Sequence, residues 1–227
     1  MSRVAITAYK LVSLAIASFE IIDDSTLSTQ LPTPANIAFD VEENTLFSTG
    51  AGSGSSQPWG LVTVVSATTA SVVSATTAGT FTSASVGDIF KTDQAVTPRA
   101  RSSGNYSWWS SRTVQNVVRT MSPNGQGSSF INTLADGDAT NGIPRMLGGN
   151  YYETSGMVAT TTTGSSILIA GDAKRFAIYD RLGVRAEFIP SMLDPTTSRP
   201  TGERSWMFWK RTGSNVLDPG SFALLKT

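Results

Sequence analysis

The side chains able to do chemistry in this chain are few in kind. Its 227 residues include no Cys and no His. Disulfides, thiolate nucleophiles, Cys/His zinc sites and imidazole ligation of haem are therefore excluded. So are Ser-His and Cys-His nucleophilic pairs and a histidine pH switch. Acid–base work would fall to Asp, Glu, Lys or Tyr. The adjacent carboxylates are Asp23/Asp24 and Glu42/Glu43. Neighbouring residues point apart on a strand or a helix, so neither pair is set for acid–base catalysis. Helix capping accounts for the first pair and a solvated helix face for the second. Ser-Lys catalysis would need a motif such as Ser-x-x-Lys, and none occurs.

Three further segments invite a binding reading. Residues 50–60 (GAGSGSSQPWG) are Gly-rich. A phosphate loop needs Lys then Ser/Thr after its last Gly, and no Lys lies between Lys10 and Lys91. A dinucleotide loop must follow a strand, whereas this one is expected to follow a helix. Asp136-Gly-Asp138-Ala-Thr140-Asn141-Gly142 resembles the start of a calcium loop, but Asn141 and Leu147 stand where Gly and a bidentate Glu are required. An Asp/Asn turn is the simpler reading. Trp206-Met207-Phe208-Trp209-Lys210-Arg211 mixes aromatics with base, as single-strand binders do. On a strand, Trp206, Phe208 and Lys210 face one way and Met207, Trp209 and Arg211 the other. That pattern describes a strand sandwiched in a core, with its charges at one end. No catalytic residue, metal ligand or cofactor is assigned.

Lys+Arg and Asp+Glu number 17 each, so no global field draws the chain to nucleic acid or to an anionic membrane. Charged residues are only 15%, which points to surface covered by neighbours, with Ser and Thr supplying further polarity. No apolar run approaches the roughly 18 residues a membrane-spanning helix needs. Arg3, Lys10, the apolar stretch 11–17 and Ala15-x-Ala17 imitate a signal peptide, but the run is minimal and Lys10 abuts it.

The elements that must carry these residues follow from periodicity. Residues 4–19 predict a strand that is apolar or small on both faces, hence covered on both. Thr33 as N-cap and Pro34 at the first position predict a helix ending near Phe47, with Ile37, Ala38, Val41 and Thr45 on one side. VVSATTA occurs at 64–70 and again at 72–78, and is read as an exposed hairpin or variable loop. Ser85-Val-Gly-Asp88 resembles a capping box ahead of a helix of roughly ten residues. Residues 98–109 read as a loop into a short buried strand. Val114, Val117, Val118 and Met121 predict a helix from about Ser111. Residues 122–157 read mostly as loop with an apolar stretch at 130–134, and the chain from Ser166 onward as strands. The class is α+β, with a sheet shared between the first and last segments.

Taken in order, several pieces resemble the tailed-phage major capsid proteins of the Hong Kong 97 fold. Ala8-Tyr9-Lys10-Leu11-Val12 through Ser18-Phe19-Glu20-Ile21-Ile22-Asp23-Asp24-Ser25 is similar to the family's lysine-leucine strand and the start of its spine helix. Phe47-Ser48-Thr49-Gly50-x-Gly52 and Pro58-x-Gly60-Leu61 resemble its loop into the axial domain. Trp108-Trp109-Ser110 with the helix 114–121 resembles that domain's strand-helix unit. Leu147-Gly148-Gly149 stands at a usual turn, without its proline. Gly171-Asp172, Asp180-Arg181-Leu182-Gly183 at a strand turn, the Asp-Pro-x-x-Phe at 218–222 and the strand after it complete the series.

The resemblance implies a peripheral domain of spine helix and long sheet (1–49 and 184–213) and an axial domain (50–183 and 214–227). It implies a subunit of an icosahedral head, self-assembling into pentamers and hexamers around double-stranded DNA bound without sequence specificity, and no enzyme. Portal and scaffold proteins are the implied partners, the virion the implied location and the host cytoplasm the place of assembly. Trp206, Phe208 and Trp209 in the sheet and Asp180 and Arg181 at the strand turn are the expected packing and contact residues, the plainer alternative for Asp180-Arg181 being a local turn ion pair worth about 0–1 kcal/mol. The family's amino-terminal arm and extended loop would precede the strand with which this chain begins. They are expected on another polypeptide or outside a fragment, unless the shell is built differently. An encapsulin-like nanocompartment shell and a secreted Ser/Thr-rich β binding module are the alternatives.

Overall fold

The structure is a computed structural model that describes residues 4–24, 27–82, 85–121 and 144–227. The calcium-like loop 136–142 and the stretch 130–134 lie outside these residues. In chain order the elements are β1 (Tyr9–Ser18), α1 (Phe19–Asp24), α2 (Leu27–Gln30), α3 (Pro32–Thr49), α4 (Leu61–Ser66), β2 (Val72–Ser74), α5 (Val86–Ala95), α6 (Pro98–Arg101), β3 (Tyr106–Ser110), α7 (Arg112–Thr120), β4 (Arg145–Met146), β5 (Gly149–Glu153), β6 (Ser166–Asp172), β7 (Phe176–Ile189), β8 (Glu203–Val216) and β9 (Phe222–Lys226). They divide into two compact units. The first holds residues 44–177 and 214–227 with the start of the chain, and the second residues 6–43 and 178–213.

The first unit is built on a mixed sheet of order β2-β9-β6-β3-β5-β4. β6 (SILIAGD) and β9 (FALLK) are nearly continuous apolar runs, as a strand covered on both faces requires. Alternate residues of β9 enter two separate cores. Ala223 and Leu225 pack with Ile89, Val96, Trp108, Val114, Val118 and Met121, so α5, α6 and α7 cover that face. Phe222 and Leu224 pack with Ile169, Val62, Val65, Met157 and Val216 on the other. Ser111 precedes α7 with its hydroxyl donating to the Val158 carbonyl and not to the helix, and the apolar 3–4 spacing of α7 puts Val114, Val118 and Met121 wholly inside, as the sequence predicts.

Several local expectations change. Strands β4 and β5 lie in what reads as loop, because β5 finds a partner in β3. The repeat is neither exposed hairpin nor variable loop. Its first copy ends α4, with Val65 buried, and its second forms β2, which pairs in parallel with β9. Asp88 does not complete a capping box. Its buried carboxylate accepts from the Thr76 hydroxyl (2.6 Å) and N–H (3.0 Å) and pairs with Lys91 at 3.0 Å. The 50–60 loop is closed by backbone packing. A Cβ at Gly50 would strike the carbonyls of Leu46 and Pro58, and Gly60 donates to the Gly50 carbonyl at 2.9 Å.

The second unit is a three-stranded sheet, β1-β8-β7, with α3 on one face. β1 and β8 are antiparallel from Tyr9↔Thr212 to Ser18↔Glu203. Ala35 and Phe39 of α3 meet Phe208, Leu11, Ala15 and Trp206. The expected helix face is therefore corrected. Ile37 (57% exposed) and Val41 (62%) point outward, because α3 carries apolar residues on more than one side and only Ala35, Phe39 and Leu46 reach a core. β1 is covered on one face only, against expectation: Val12, Leu14 and Ile16 are each about half exposed, since α3 supplies the single covering layer.

Two outcomes test these cores. Gly171 of β6 lies against the Phe222 ring, and an added Cβ would sit 2.6 Å from the Ser221 carbonyl oxygen. Gly171→Ala should cost about 1–3 kcal/mol by overpacking, read by urea denaturation. Burial opposes the charge of Asp88, but the Thr76 bonds and Lys91 outweigh it and hold its pKa below 3.8. A lowered folded pKa stabilises above the unfolded value and is lost as pH falls through the folded one. Denaturation from pH 6 to about pH 2 should show an acid-side loss that shrinks in Asp88→Asn.

Candidate functional site

The residues singled out from the sequence all fall on the second unit. Phe208 is the buried centre of the small core under α3. Trp206 is half-buried on the same side, its ring 5.1 Å from that of Phe188. Trp209 faces the other way, half-buried, opposite Val12 of β1. Its ring is flanked by Lys10 at 5.1 Å and Arg185 at 5.8 Å. The alternation along β8 is thus as the sequence predicts, but the strand is not sandwiched, because the Met207/Trp209 face has no covering layer.

Asp180 and Arg181 are not at a turn. They lie exposed within β7, which runs unbroken from Phe176 to Ile189. Gly183 causes no break, since its φ is not positive and a Cβ there would meet nothing within 4 Å. Adjacent residues of a strand point to opposite faces, so the local turn pair is replaced by two separate surface charges. The chain instead reverses at 190–202, where Met192 donates to the Glu203 carbonyl and Asp194 to that of Arg199.

Sequence reasoning missed the ion pair between Lys210 Nζ and Glu43 Oε1, 2.5 Å apart, with both side chains nearly buried under α3. Lys210 sits in register with Leu11 on the helix side of the sheet. Its alternation with Phe208 carried the only signal. In the first unit, a cavity of about 400 Å³ is walled by Phe47, Trp109, Tyr152, Met157, Phe176 and Phe222. Its polar rim is self-satisfied: Thr154 donates to Asn44, Asn44 donates to Ser155, and Ser48 bonds Thr154. Glu153 beside it pairs with Arg112. Tyr106 and Tyr151, the phenols raised by burial, are bonded to Asp93 and Ser110 within the core. Among the described residues no group of three or more carboxylates is placed to hold a metal, and no helix is long and apolar enough to cross a membrane.

What this arrangement offers is faces, and comparison with known structures agrees. The chain is similar in fold to the capsid of the native GTA particle, at 21% identity and a TM-score of 0.78, over 99% of this chain and 74% of that one. The structure of Mycobacterium phage Adephagia matches at 13% identity and 0.66, over 97% and 72%. That of Gordonia phage Cozz matches at 16% and 0.62, over 97% and 70%. No curated protein matches. The fold is thus the Hong Kong 97 type from which phage heads are built. The chain belongs to the phage capsid family, which it matches over residues 1–227, and it is a major capsid structural protein of the virion.

The Glu43–Lys210 pair predicts a thermodynamic cycle. Lys210→Met alone should destabilise by about 3 kcal/mol, because it strands a buried carboxylate. Glu43→Leu with Lys210→Met should restore most of that loss, measured by guanidinium denaturation.

Proposed function

We propose that copies of this chain close into five- and six-membered rings and that these rings form the shell around double-stranded DNA, held without sequence recognition. The second unit serves as the peripheral domain and the first as the axial domain. Portal and scaffold proteins join the same assembly, which takes place in the host cytoplasm. The chain works by contact and not by catalysis.

The observation that carries this reading is a surface made to be covered. Charged residues are 15% of the chain, while Val12, Leu14, Ile16, Ile37 and Val41 of the second unit stand 48–62% exposed. A monomer at working concentration would be prone to associate through such patches. A repeating heterologous contact that closes on itself buries them in every copy.

Negative-stain electron microscopy of the concentrated chain provides the test. Closed shells, or rings of five and six, are expected. Monodisperse monomers at every concentration would overturn self-assembly by this chain. Nuclease-protected DNA inside particles from the host is expected as well, and enclosed enzymes in its place would point to a nanocompartment shell.

A further inference from the structure

β1 is an edge strand without the usual protections. Among the described residues β8 is its only paired neighbour, so alternate residues of β1 turn their backbone N–H and C=O groups outward, unbonded to any strand. Natural edges are blunted by charge, Pro or a bulge. Between Tyr9 and Ser18 the sole charge is Lys10, near one end, and the register with β8 runs unbroken. β7, the other edge of the sheet, is guarded: Asp180, Arg181, Gly183, Arg185 and Glu187 lie along it. One edge discourages an added strand and the other is open to it.

A second feature lies along the same border. Through Ala35 and Phe39, α3 rests on Leu11 and Ala15 of β1 and on Phe208 and Trp206 of β8. On one flank of the helix Glu43 reaches Lys210 of β8. On the other flank Pro34, Ala38 and Glu42 border β1 across two clefts, one of about 180 Å³ beside Ser13 and Ala15 and one of about 350 Å³ beside residues 10–13. Pro34, Ala38 and Val41 repeat at four and then three residues, the spacing of a helix-packing seam. All three are exposed. Pro34 and Ala38 are small enough to let another helix approach closely.

Building on the shell reading above, we propose that β1 and α3 make a two-fold contact with the same elements of a second copy. β1 pairs antiparallel with its counterpart, and the Pro34–Ala38–Val41 seam packs on its counterpart. The spacings agree. Strands in a sheet lie about 4.8 Å apart, and α3, seated over the gap between β1 and β8, is set back from β1 by about half of that. A dyad just outside β1 therefore leaves the two α3 axes roughly 10 Å apart, at the upper end of the range in which helices pack. The dyad of an antiparallel pair is perpendicular to the sheet, so both helices lie on the same side of it. Ser13 lines both clefts and sits near the middle of β1, which places the dyad there. Lys10 and Glu42 then stand at one end of the contact and their counterparts at the other, so like charges do not meet. A lone strand from another polypeptide would pair the edge and leave the seam uncovered, whereas a second copy satisfies both at once. Rings alone do not close an icosahedral shell. Neighbouring rings are related by two-fold axes, and an isologous contact is what such an axis requires.

The chain has no Cys, so an introduced thiol reports its neighbours without background. Ser13→Cys, gently oxidised in solution and in assembled particles, should give disulfide-linked pairs of chains, because opposed residues of an antiparallel pair lie within disulfide range. Val184→Cys on β7 should stay unlinked. Ala38→Glu and Ala38→Lys, at an exposed helix position, should keep the wild-type circular dichroism, and each alone should need a roughly tenfold or higher concentration to pair in sedimentation. Their mixture should restore pairing, since position 38 of one copy faces position 38 of the other. Folded Ala38 variants that pair like the wild type would overturn the two-fold contact and leave the shell reading intact. So would a Ser13→Cys thiol that forms no link in particles, or that links to Val184→Cys in a mixture or to a different polypeptide. Two-fold pairs that never progress to rings or shells would count against the shell reading and leave the contact standing. A chain that stays monomeric at every concentration would overturn both.

Discussion

The first unit depends on the insertion of β9 between β2 and β6. Both neighbours are distant in sequence: β2 pairs in parallel through Val72↔Leu224, and β6 antiparallel through Ile169↔Leu224. A single residue, Leu224, is therefore held from both sides while its side chain completes one core and its neighbours Ala223 and Leu225 complete the other. Neither core can close before this strand arrives. Contacts of such sequence separation make folding slow and all-or-none, since loop closure must be met before the apolar burial that repays it. The approach to β9 is correspondingly well specified. Asp218 accepts from the Ser221 hydroxyl at 2.6 Å and from the Gly220 N–H at 3.2 Å, and Pro219 fixes the turn between them. The Asp-Pro-x-x-Phe signature is a device for aiming this strand.

The second unit is organised by the opposite condition, a shortage of layers. Three strands and one helix give one small core, Ala35, Phe39 and Phe208 with their partly buried neighbours. The Glu43–Lys210 pair lies on the same covered side. A buried pair is poor evidence for stability, because desolvation offsets most of its attraction, but it fixes which way α3 lies along β8. The other side of the sheet has no such lock. A fold with so thin a core gains most from partners, and the exposed Val12–Leu14–Ile16 row shows where that gain is available.

What was legible in the sequence follows from the same contrast. Strands covered on both faces announce themselves as apolar runs, so β6 and β9 could be read, and Val114, Val118 and Met121 gave α7 at the right place and phase. The packing residue Phe208 was legible from the two-residue alternation of β8, which puts it on the side away from Met207 and Trp209. Errors fell where an element is covered on one side only. Ile37 and Val41 are as apolar as Ala35 and Phe39, and no periodicity tells which set meets the sheet when the helix is apolar over a wide arc. Composition predicts cover for Val12 because it reports what a face is made of and not what lies against it. Asp180 to Gly183 carried turn-forming residue types, yet a strand with exposed faces tolerates charge and Gly at those positions, and β7 runs through them. Ion pairing between Glu43 and Lys210 spans most of the chain in sequence and left no local mark.

The repeat makes the limit sharpest. Val-Val-Ser is helical at 64–66 and extended at 72–74, with the same residues following in each case. Intrinsic preference is identical in the two copies, so only tertiary context can separate them. The first copy directs Val65 into the core beside Phe222 and Leu224, where α4 lies over one face of the sheet. The second is caught by the free edge of β9, and its Thr76 is held by Asp88 from α5. Weak propensities of a few tenths of a kcal/mol per residue are overridden by a pairing edge on one side and an apolar face on the other. The conformation of VVSATTA is thus a property of where β9 lies, the one strand whose placement both cores share.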